Sequence, residues 1–223
     1  MSARPADSML VSVLTDPACA ARYTQVEWSD LVASAREANL LGALSVRLQA
    51  VGVVPPASAQ RHLAGAQQLS ERQHRSVCWE AQQLQNALGP LNIPVVLLKG
   101  AAYVMSGHGF SQGRLFGDID LLVPRDAIGD VESRLMLHGW VSAKTSAYDQ
   151  RYYRQWMHEI PPMSHIRRGT VVDVHHTILP LTARHHPDPA AIIARAGTAG
   201  LGHPQHHPFG ARRRTGQRLA RPL

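Results

Sequence analysis

Three aspartates in two apolar segments are the side chains of this sequence best placed to do chemistry. Asp118 and Asp120 lie two positions apart in the segment GDIDLLV, and Asp173 lies in VDVHH. Residues i and i+2 of a strand share one face, with Cα atoms about 7 Å apart. If the two strands are neighbours, the three carboxylates can hold two Mg²⁺ ions, which orient an attacking hydroxyl and stabilise a pyrophosphate leaving group.

Two plainer explanations of these aspartates stay open. An Asp-x-Asp pair also occurs as the polar start of a strand or as part of a turn. Asp173 sits in an apolar run, where an isolated carboxylate is costly, and an ion pair with Arg167 or Arg168 would remove that cost.

A second candidate feature is the dipeptide Lys99-Gly100, which ends an apolar run and precedes a predicted helix. Its amides can approach a phosphate closely, and Lys99 supplies a point charge. Lys99 can equally be a solvated residue at the end of a strand. Arg114 is a weaker phosphate candidate, and a surface role explains it as well.

The histidines invite a zinc interpretation that their spacing does not favour. Adjacent histidines on a strand point to opposite faces, so no pair forms a compact site by itself. His175 shares a face with Asp173, and we expect it to pack or to form a hydrogen bond. His158 and Glu159 can flank the same cleft, but the sequence assigns them no role.

The hydrophobic pattern predicts the elements that position these residues. Apolar spacings of three and four predict helices, and short β-branched runs predict buried strands. The predicted helices are 27–50, 57–88, 101–106 and 126–137; the predicted strands are 93–98, 119–123, one starting at 140, and a hairpin of 152–163 and 170–179 with its turn at 167–169. The fold class is therefore α+β, with N-terminal helices packed on a mixed sheet.

The distribution of charge divides the chain into regions, and the composition limits the class of protein. The 223 residues carry a formal charge of +7, and most of it lies in 182–223, where seven arginines accompany one aspartate. We expect a helical region at 1–90, a core at 91–181 and a flexible basic tail at 182–223, with a short helix possible near 189–196. Two separated cysteines, short apolar runs and no basic leader favour a cytoplasmic protein without membrane contact.

The motifs LLKGAA, GDIDLLV and VDVHH, in this order around a glycine-rich loop, resemble the uncharacterised nucleotidyltransferase family of the DNA polymerase β superfamily. The resemblance covers roughly residues 60–181 and implies a polymerase β-like mixed sheet. It implies transfer of a nucleoside monophosphate from an NTP such as ATP to a hydroxyl, with Mg²⁺ or Mn²⁺. By position, the resemblance makes Asp118, Asp120 and Asp173 catalytic metal ligands and Lys99, Gly100 and Gly117 nucleotide-binding residues.

Two departures from the family pattern bear on substrate handling. The superfamily's usual first motif is Gly-Ser, whereas this chain has Lys99-Gly100, and residues 182–223 lack the helical periodicity that relatives show there. The acceptor stays open among a protein, a tRNA end and a small molecule. A glycosyltransferase would also use Asp-x-Asp, but it does not predict Lys99-Gly100 or Asp173.

A second class of function also stays open. The chain can be a degenerate nucleotidyltransferase fold that acts as a binding module, with its arginine-rich tail contacting RNA or another acidic partner. Arginine clusters bind phosphates with strong salt dependence, although no aromatic interleaving or RNA-binding motif accompanies this one.

Overall fold

The computed structural model describes residues 5–142, 146–199 and 219–221. The chain divides into two compact units, one of Met1–Ser76 with His108–Leu115 and the other of Val77–Gly107 with Phe116–Leu223. The boundaries at residues 90 and 181 that the sequence indicates stay predictions.

The first unit consists of helices around one apolar core. They are α1 (Pro5–Thr15), α2 (Gln25–Glu37), α3 (Leu41–Ala50) and the first part of α4 (Ala57–Leu88). A capping box begins α2, because Thr24 Oγ1 accepts the Glu27 amide while the Glu27 carboxylate accepts the Thr24 amide at 2.7 Å. The largest buried side chains of this core are Leu10, Trp28, Leu31, Leu44, Leu48 and Leu63.

The single helix predicted over 27–50 is wrong, because α2 ends at Glu37 and α3 starts at Leu41. Asn39 between them has a φ of +57°, in the left-handed region that asparagine tolerates better than most residues. The apolar spacing continues across this break, so the hydrophobic pattern alone does not reveal it. The helix predicted over 57–88 is confirmed by α4.

The second unit is a mixed sheet with helices, which confirms the α+β class. Its strands are β1 (Val96–Leu97), β2 (Asp118–Leu122), β3 (Trp140–Ser142), β4 (Met163–His165), β5 (Val171–His175), β6 (Gly197–Ala199) and β7 (Leu219–Arg221). Their order is β3-β4-β5-β2-β1-β7-β6. The pairs β2–β5 and β1–β7 are parallel, whereas the other pairs are antiparallel.

The helices of this unit, besides the second part of α4, are α5 (Lys99–Met105), α6 (Ile128–Leu137), α7 (Ala147–Trp156) and α8 (Pro189–Arg195). The short helix expected near 189–196 is present as α8, where Asp188 Oδ1 accepts the Ala190 amide. Among the described residues, no helix is long and apolar enough to cross a membrane. Residues 200–218 and 222–223 of the expected flexible tail lie outside the described residues, and its flexibility stays a prediction.

Two strand predictions need correction. The strand expected over 93–98 is only β1, two residues that follow Pro94, which has no amide hydrogen to donate to a strand partner. The hairpin is real, with β4 and β5 joined around Gly169 at a φ of +68°. Its first arm does not begin at Tyr152, because Ser146 caps α7 and that helix continues to Trp156. The aromatic residues that resembled a strand therefore lie on a helix.

Candidate metal and nucleotide site

Parallel pairing of β2 with β5 brings the three predicted aspartates together. Asp120 is the Cα partner of Asp173, and Asp118 starts the same strand on the same face as Asp120. One carboxylate oxygen from each residue lies within 4.8 Å of the others. We call Asp118, Asp120 and Asp173 the carboxylate triad.

Asp120 is the buried centre of this triad and holds two basic groups. Its side chain is 2% exposed, and its Oδ1 lies 2.6 Å from Lys99 Nζ and 2.9 Å from His175 Nε2. Burial alone would raise the pKa of Asp120, but the hydrogen bonds from His175 and Lys99 outweigh it and hold the pKa below its usual value. Because an ionised carboxylate only accepts hydrogen bonds, His175 Nε2 carries a proton.

Asp173 has the opposite electrostatic environment. Burial, followed by the charges of Glu159, Asp118 and Asp120, raises its pKa to about 6. Its Oδ1 is buried and receives no hydrogen bond from any residue that the structure describes. The site therefore has more buried negative charge than its own side chains neutralise.

Arg168, one of the two arginines considered as a partner for Asp173, contacts other residues instead. Arg168 Nε lies 2.6 Å from Glu80 Oε1 on α4, and its guanidinium also lies 4.8 Å from the centre of the Trp140 ring. Within the described part of the chain, no ion pair joins Asp173 to Arg167 or Arg168. An arginine across the hairpin thus does not explain the buried aspartate.

A second group of ligands lies against the triad. The segment around Glu159 pairs with the end of β5: Ile160 N donates to Val174 O at 3.0 Å, and His176 N donates to His158 O at 2.9 Å. This pairing places His158, Glu159 and His175 so that one ligand atom of each lies within 4.8 Å of the others. We call these three residues the mixed cluster.

Most of the chain matches one protein family. The model of a family described as uncharacterised nucleotidyltransferase matches residues 24–210. The chain belongs to this family of nucleotidyltransferases. The match confirms the family that the three motifs indicated, and it extends beyond residues 60–181 on both sides. The chain matches no curated protein and no solved structure.

The Lys99-Gly100 motif of this nucleotidyltransferase lies at the start of α5, beside the triad. Lys99 has a φ of +46°, and its side chain, 62% exposed, turns its ammonium toward Asp120. Burial would lower the pKa of Lys99, but Asp120, Asp118 and Glu159 raise it, so this side chain stays cationic at neutral pH. The residue assigned to phosphate thus forms an ion pair with a candidate metal ligand.

The two candidate nucleotide-binding glycines of the nucleotidyltransferase differ in their surroundings. A Cβ at Gly100 would overlap the ring of Phe116, so close packing accounts for this glycine without any ligand. A Cβ at Gly117 would meet no atom of the described residues within 4 Å. Arg114, the weaker phosphate candidate, lies in the first unit, where its carbonyl accepts a hydrogen bond from Ser70.

The sequence motifs assigned no function to two residues that lie at this site. Glu159 lies 3.2 Å from His175 Nδ1, and its charge acts on Lys99 and Asp173. Tyr153 on α7 also belongs here, because burial and then the charges of Glu159 and Asp173 raise the pKa of its hydroxyl. The predicted hairpin of 152–163 and 170–179 already paired the segment of Glu159 with the strand that becomes β5, but the sequence assigned neither residue a role.

Proposed function

We propose that this protein is a metal-dependent nucleotidyltransferase that transfers a nucleoside monophosphate from an NTP to a hydroxyl acceptor. The observation that carries the proposal is the convergence of three carboxylates on β2 and β5, one of them with a buried oxygen that has no hydrogen-bond partner among the described residues. Family membership supports the same reaction class.

The triad fits a hard divalent cation. It supplies only carboxylate oxygens, the ligands that Mg²⁺ and Mn²⁺ prefer, and burial followed by the neighbouring negative charges raises the pKa of Asp173. Asp118, Asp120 and Asp173 would hold the ion. When bound, Mg²⁺ supplies charge neutralisation for the triphosphate and lowers the pKa of the acceptor hydroxyl.

The protein's own groups divide the remaining work of the transfer. The acceptor oxygen forms a bond to the α-phosphorus, the bond from that phosphorus to the bridging oxygen breaks, and pyrophosphate leaves. Asp173 takes the acceptor's proton at the carboxylate oxygen that does not face the ion. Lys99, released from Asp120, neutralises the triphosphate, because its largely exposed side chain is free to turn toward it. Gly117 leaves room beside β2 for a phosphate or sugar.

We also propose that the protein uses ATP and acts in the cytoplasm. ATP is the first nucleotide to test, and the acceptor is a protein, a tRNA end or a small molecule. The free cysteines Cys19 and Cys78 agree with a reducing cytoplasm.

The deciding experiment incubates the purified protein with each α-³²P-labelled NTP, Mg²⁺ or Mn²⁺, and a cell extract, and then identifies the labelled molecule. We expect labelling by the wild type and by Asp30→Asn, a matched change at an exposed acid of α2. Labelling should be lost in Asp118→Asn and in Asp120→Asn. Equal labelling by either triad variant would refute the metal-ligand assignment.

The same preparation tests the binding-module alternative. A module would bind RNA in a salt-sensitive manner without labelling any acceptor, and replacing Arg212, Arg213 and Arg214 with glutamine would weaken that binding. A transferase predicts the opposite dependence: Asp120→Asn abolishes labelling, whereas the arginine substitutions leave the chemistry at the triad intact.

A further inference from the structure

The mixed cluster has the composition of a transition-metal site. It combines two imidazoles and one carboxylate, and their side chains are 18% (His158), 15% (Glu159) and 1% (His175) exposed. Imidazole nitrogen with one carboxylate is the ligand set of many zinc sites, whereas Mg²⁺ prefers oxygen alone. The carboxylate triad and the mixed cluster therefore differ in the metals that they favour.

Two of the three distances between ligand atoms of the cluster are close to those around a tetrahedral ion. Glu159 Oε2 lies 3.2 Å from His175 Nδ1 and 3.6 Å from His158 Nε2. Metal–ligand bonds of about 2.0–2.1 Å at tetrahedral angles separate neighbouring ligand atoms by about 3.3–3.4 Å. The two measured separations lie on either side of this value.

The hydrogen bonds leave a nitrogen available to such an ion. His175 uses its protonated Nε2 on Asp120, and its buried Nδ1 has no hydrogen-bond partner among the described residues, although Glu159 is close. A histidine ligand of a metal usually donates its other ring N–H to a carboxylate or carbonyl, which fixes the ring. The Asp120–His175 pair is arranged in this way, with Nδ1 facing the cluster.

We propose that His158, Glu159 and His175 form a second metal site that binds Zn²⁺ or a similar borderline divalent cation. Three protein ligands leave a fourth position for water or a substrate oxygen. Asp120 supports this site through His175 while it serves the carboxylate triad directly. The inference is independent of nucleotidyl transfer, because it concerns which metal binds at these three residues.

Cobalt spectroscopy on the full-length protein tests the site. The starting protein carries glutamine at the tail histidines, which would otherwise bind the same metal: His185, His186, His203, His206 and His207. After removal of metals with a chelator, Co²⁺ is added in the presence of a large excess of Mg²⁺ to occupy the triad. We expect one equivalent to bind with the intense visible absorption of tetrahedral Co²⁺, and Zn²⁺ to displace it.

Matched variants locate the bound ion. His158→Gln and Glu159→Gln each remove one ligand with little change in size, and we expect each to weaken Co²⁺ binding at least about 100-fold. His62→Gln, at an exposed histidine of α4, should bind as the starting protein does. Circular dichroism confirms that each variant is folded, and two variants at different positions guard against the failure of one.

The outcomes separate this site from the proposed function. Asp118→Asn damages the triad without touching the mixed cluster, so it should abolish acceptor labelling and keep the Co²⁺ spectrum. Absence of tetrahedral Co²⁺ in the starting protein would overturn the proposal, as would an unchanged spectrum in folded His158→Gln and Glu159→Gln. In that case His175 would serve only as a hydrogen-bond donor to Asp120 Oδ1.

Discussion

The carboxylate triad and the mixed cluster lie side by side on the interior strands β2 and β5, yet they offer different ligand atoms. The triad presents only carboxylate oxygens, with Asp118 exposed at the start of β2. The mixed cluster presents imidazole nitrogens from segments that meet at the end of β5. Hard cations favour the first set and borderline cations favour the second, so neighbouring sites on one sheet can select different metals.

One hydrogen bond joins the two groups. His175 Nε2 donates to Asp120 Oδ1 at 2.9 Å, with both side chains almost fully buried. A change at Asp120 therefore acts directly on the orientation of a mixed-cluster ligand, and the position of His175 affects a triad ligand. Substitutions along this connection show how far the two sites are separable.

The largest effect is expected for Asp120→Asn, because Asp120 serves both groups. Losing its charge should lower nucleotidyl transfer by about 10²–10³-fold, as loss of a preorganised electrostatic group does. Co²⁺ affinity at the mixed cluster should fall about 10-fold, because His175 loses its charged partner. Transfer assays and Co²⁺ titrations measure the two effects. Asp118→Asn is the control, and it should change transfer alone; an equal fall in Co²⁺ affinity there would contradict separate sites.

Substitution of His175 should separate its two roles with a smaller effect. Glutamine can place its amide nitrogen near the position of Nε2, so His175→Gln keeps a donor to Asp120 but lacks Nδ1 as a metal ligand. We expect His175→Ala to lower kcat for transfer by roughly 10–100-fold and His175→Gln to restore much of it. Neither variant should bind Co²⁺ as the starting protein does. If glutamine and alanine were equally impaired in transfer, the positioning of Asp120 by His175 would be excluded.

Asp173→Asn should change stability in a direction that depends on pH. The pKa of Asp173 rises from 3.8 to about 6 on folding, so the folded protein retains a proton that the unfolded chain has released. The free energy of unfolding of the metal-free wild type should therefore fall between about pH 4 and pH 6. The asparagine side chain of Asp173→Asn has no charge to bury, so the variant should be more stable than wild type above pH 6, by roughly 1–2 kcal/mol after allowance for partial exposure.

Urea unfolding in the presence of a chelator, at pH 4 and at pH 8, measures this difference. The variant and the wild type should be nearly equal at pH 4, where Asp173 is protonated in the folded protein. Asp30→Asn controls for the loss of an acid on the surface. A variant that is less stable than wild type at pH 8 would show that Asp173 has a stabilising partner.

The triad was predictable because its geometry is local to two strands. An i, i+2 pair within a strand shares a face by the pleat alone, and a third carboxylate in another apolar run needed only a neighbouring strand. The pairing of Asp120 with Asp173 meets that condition. The sequence indicated Lys99 as a phosphate ligand but contained no signal for its ion pair with Asp120, which forms at a residue with a left-handed backbone at the start of α5.

The mixed cluster was predictable only in part: the sequence placed His158 and Glu159 at the cleft of His175 but did not bring the three side chains together as ligands. His158 and Glu159 reach His175 through backbone hydrogen bonds between segments some distance apart in the chain, and such pairing depends on where α7 ends. The aromatic residues from Tyr152 to Trp156 fit a strand pattern as well as a helix pattern. The predicted hairpin gives the segment after Trp156 the correct antiparallel direction against β5, but it does not show that Glu159 pairs with His175.

Lys99→Met is expected to have the smallest effect, and its sign should depend on metal. In the metal-free protein Lys99 neutralises Asp120, but its side chain is 62% exposed, so losing this ion pair should cost at most about 1 kcal/mol of stability. With Mg²⁺ on the triad, the ammonium and the ion would repel each other, and methionine removes that repulsion. We therefore expect Lys99→Met to lower Tm slightly in chelator and to raise Mg²⁺ affinity in the absence of nucleotide. The KM for NTP should rise, because the triphosphate loses a cation.

Differential scanning fluorimetry with and without Mg²⁺ measures the change in Tm and the change in Mg²⁺ affinity. Lys99→Arg, which keeps the charge, is the control. A Tm that falls equally in chelator and in Mg²⁺ would mean that Lys99 and the metal do not compete for Asp120.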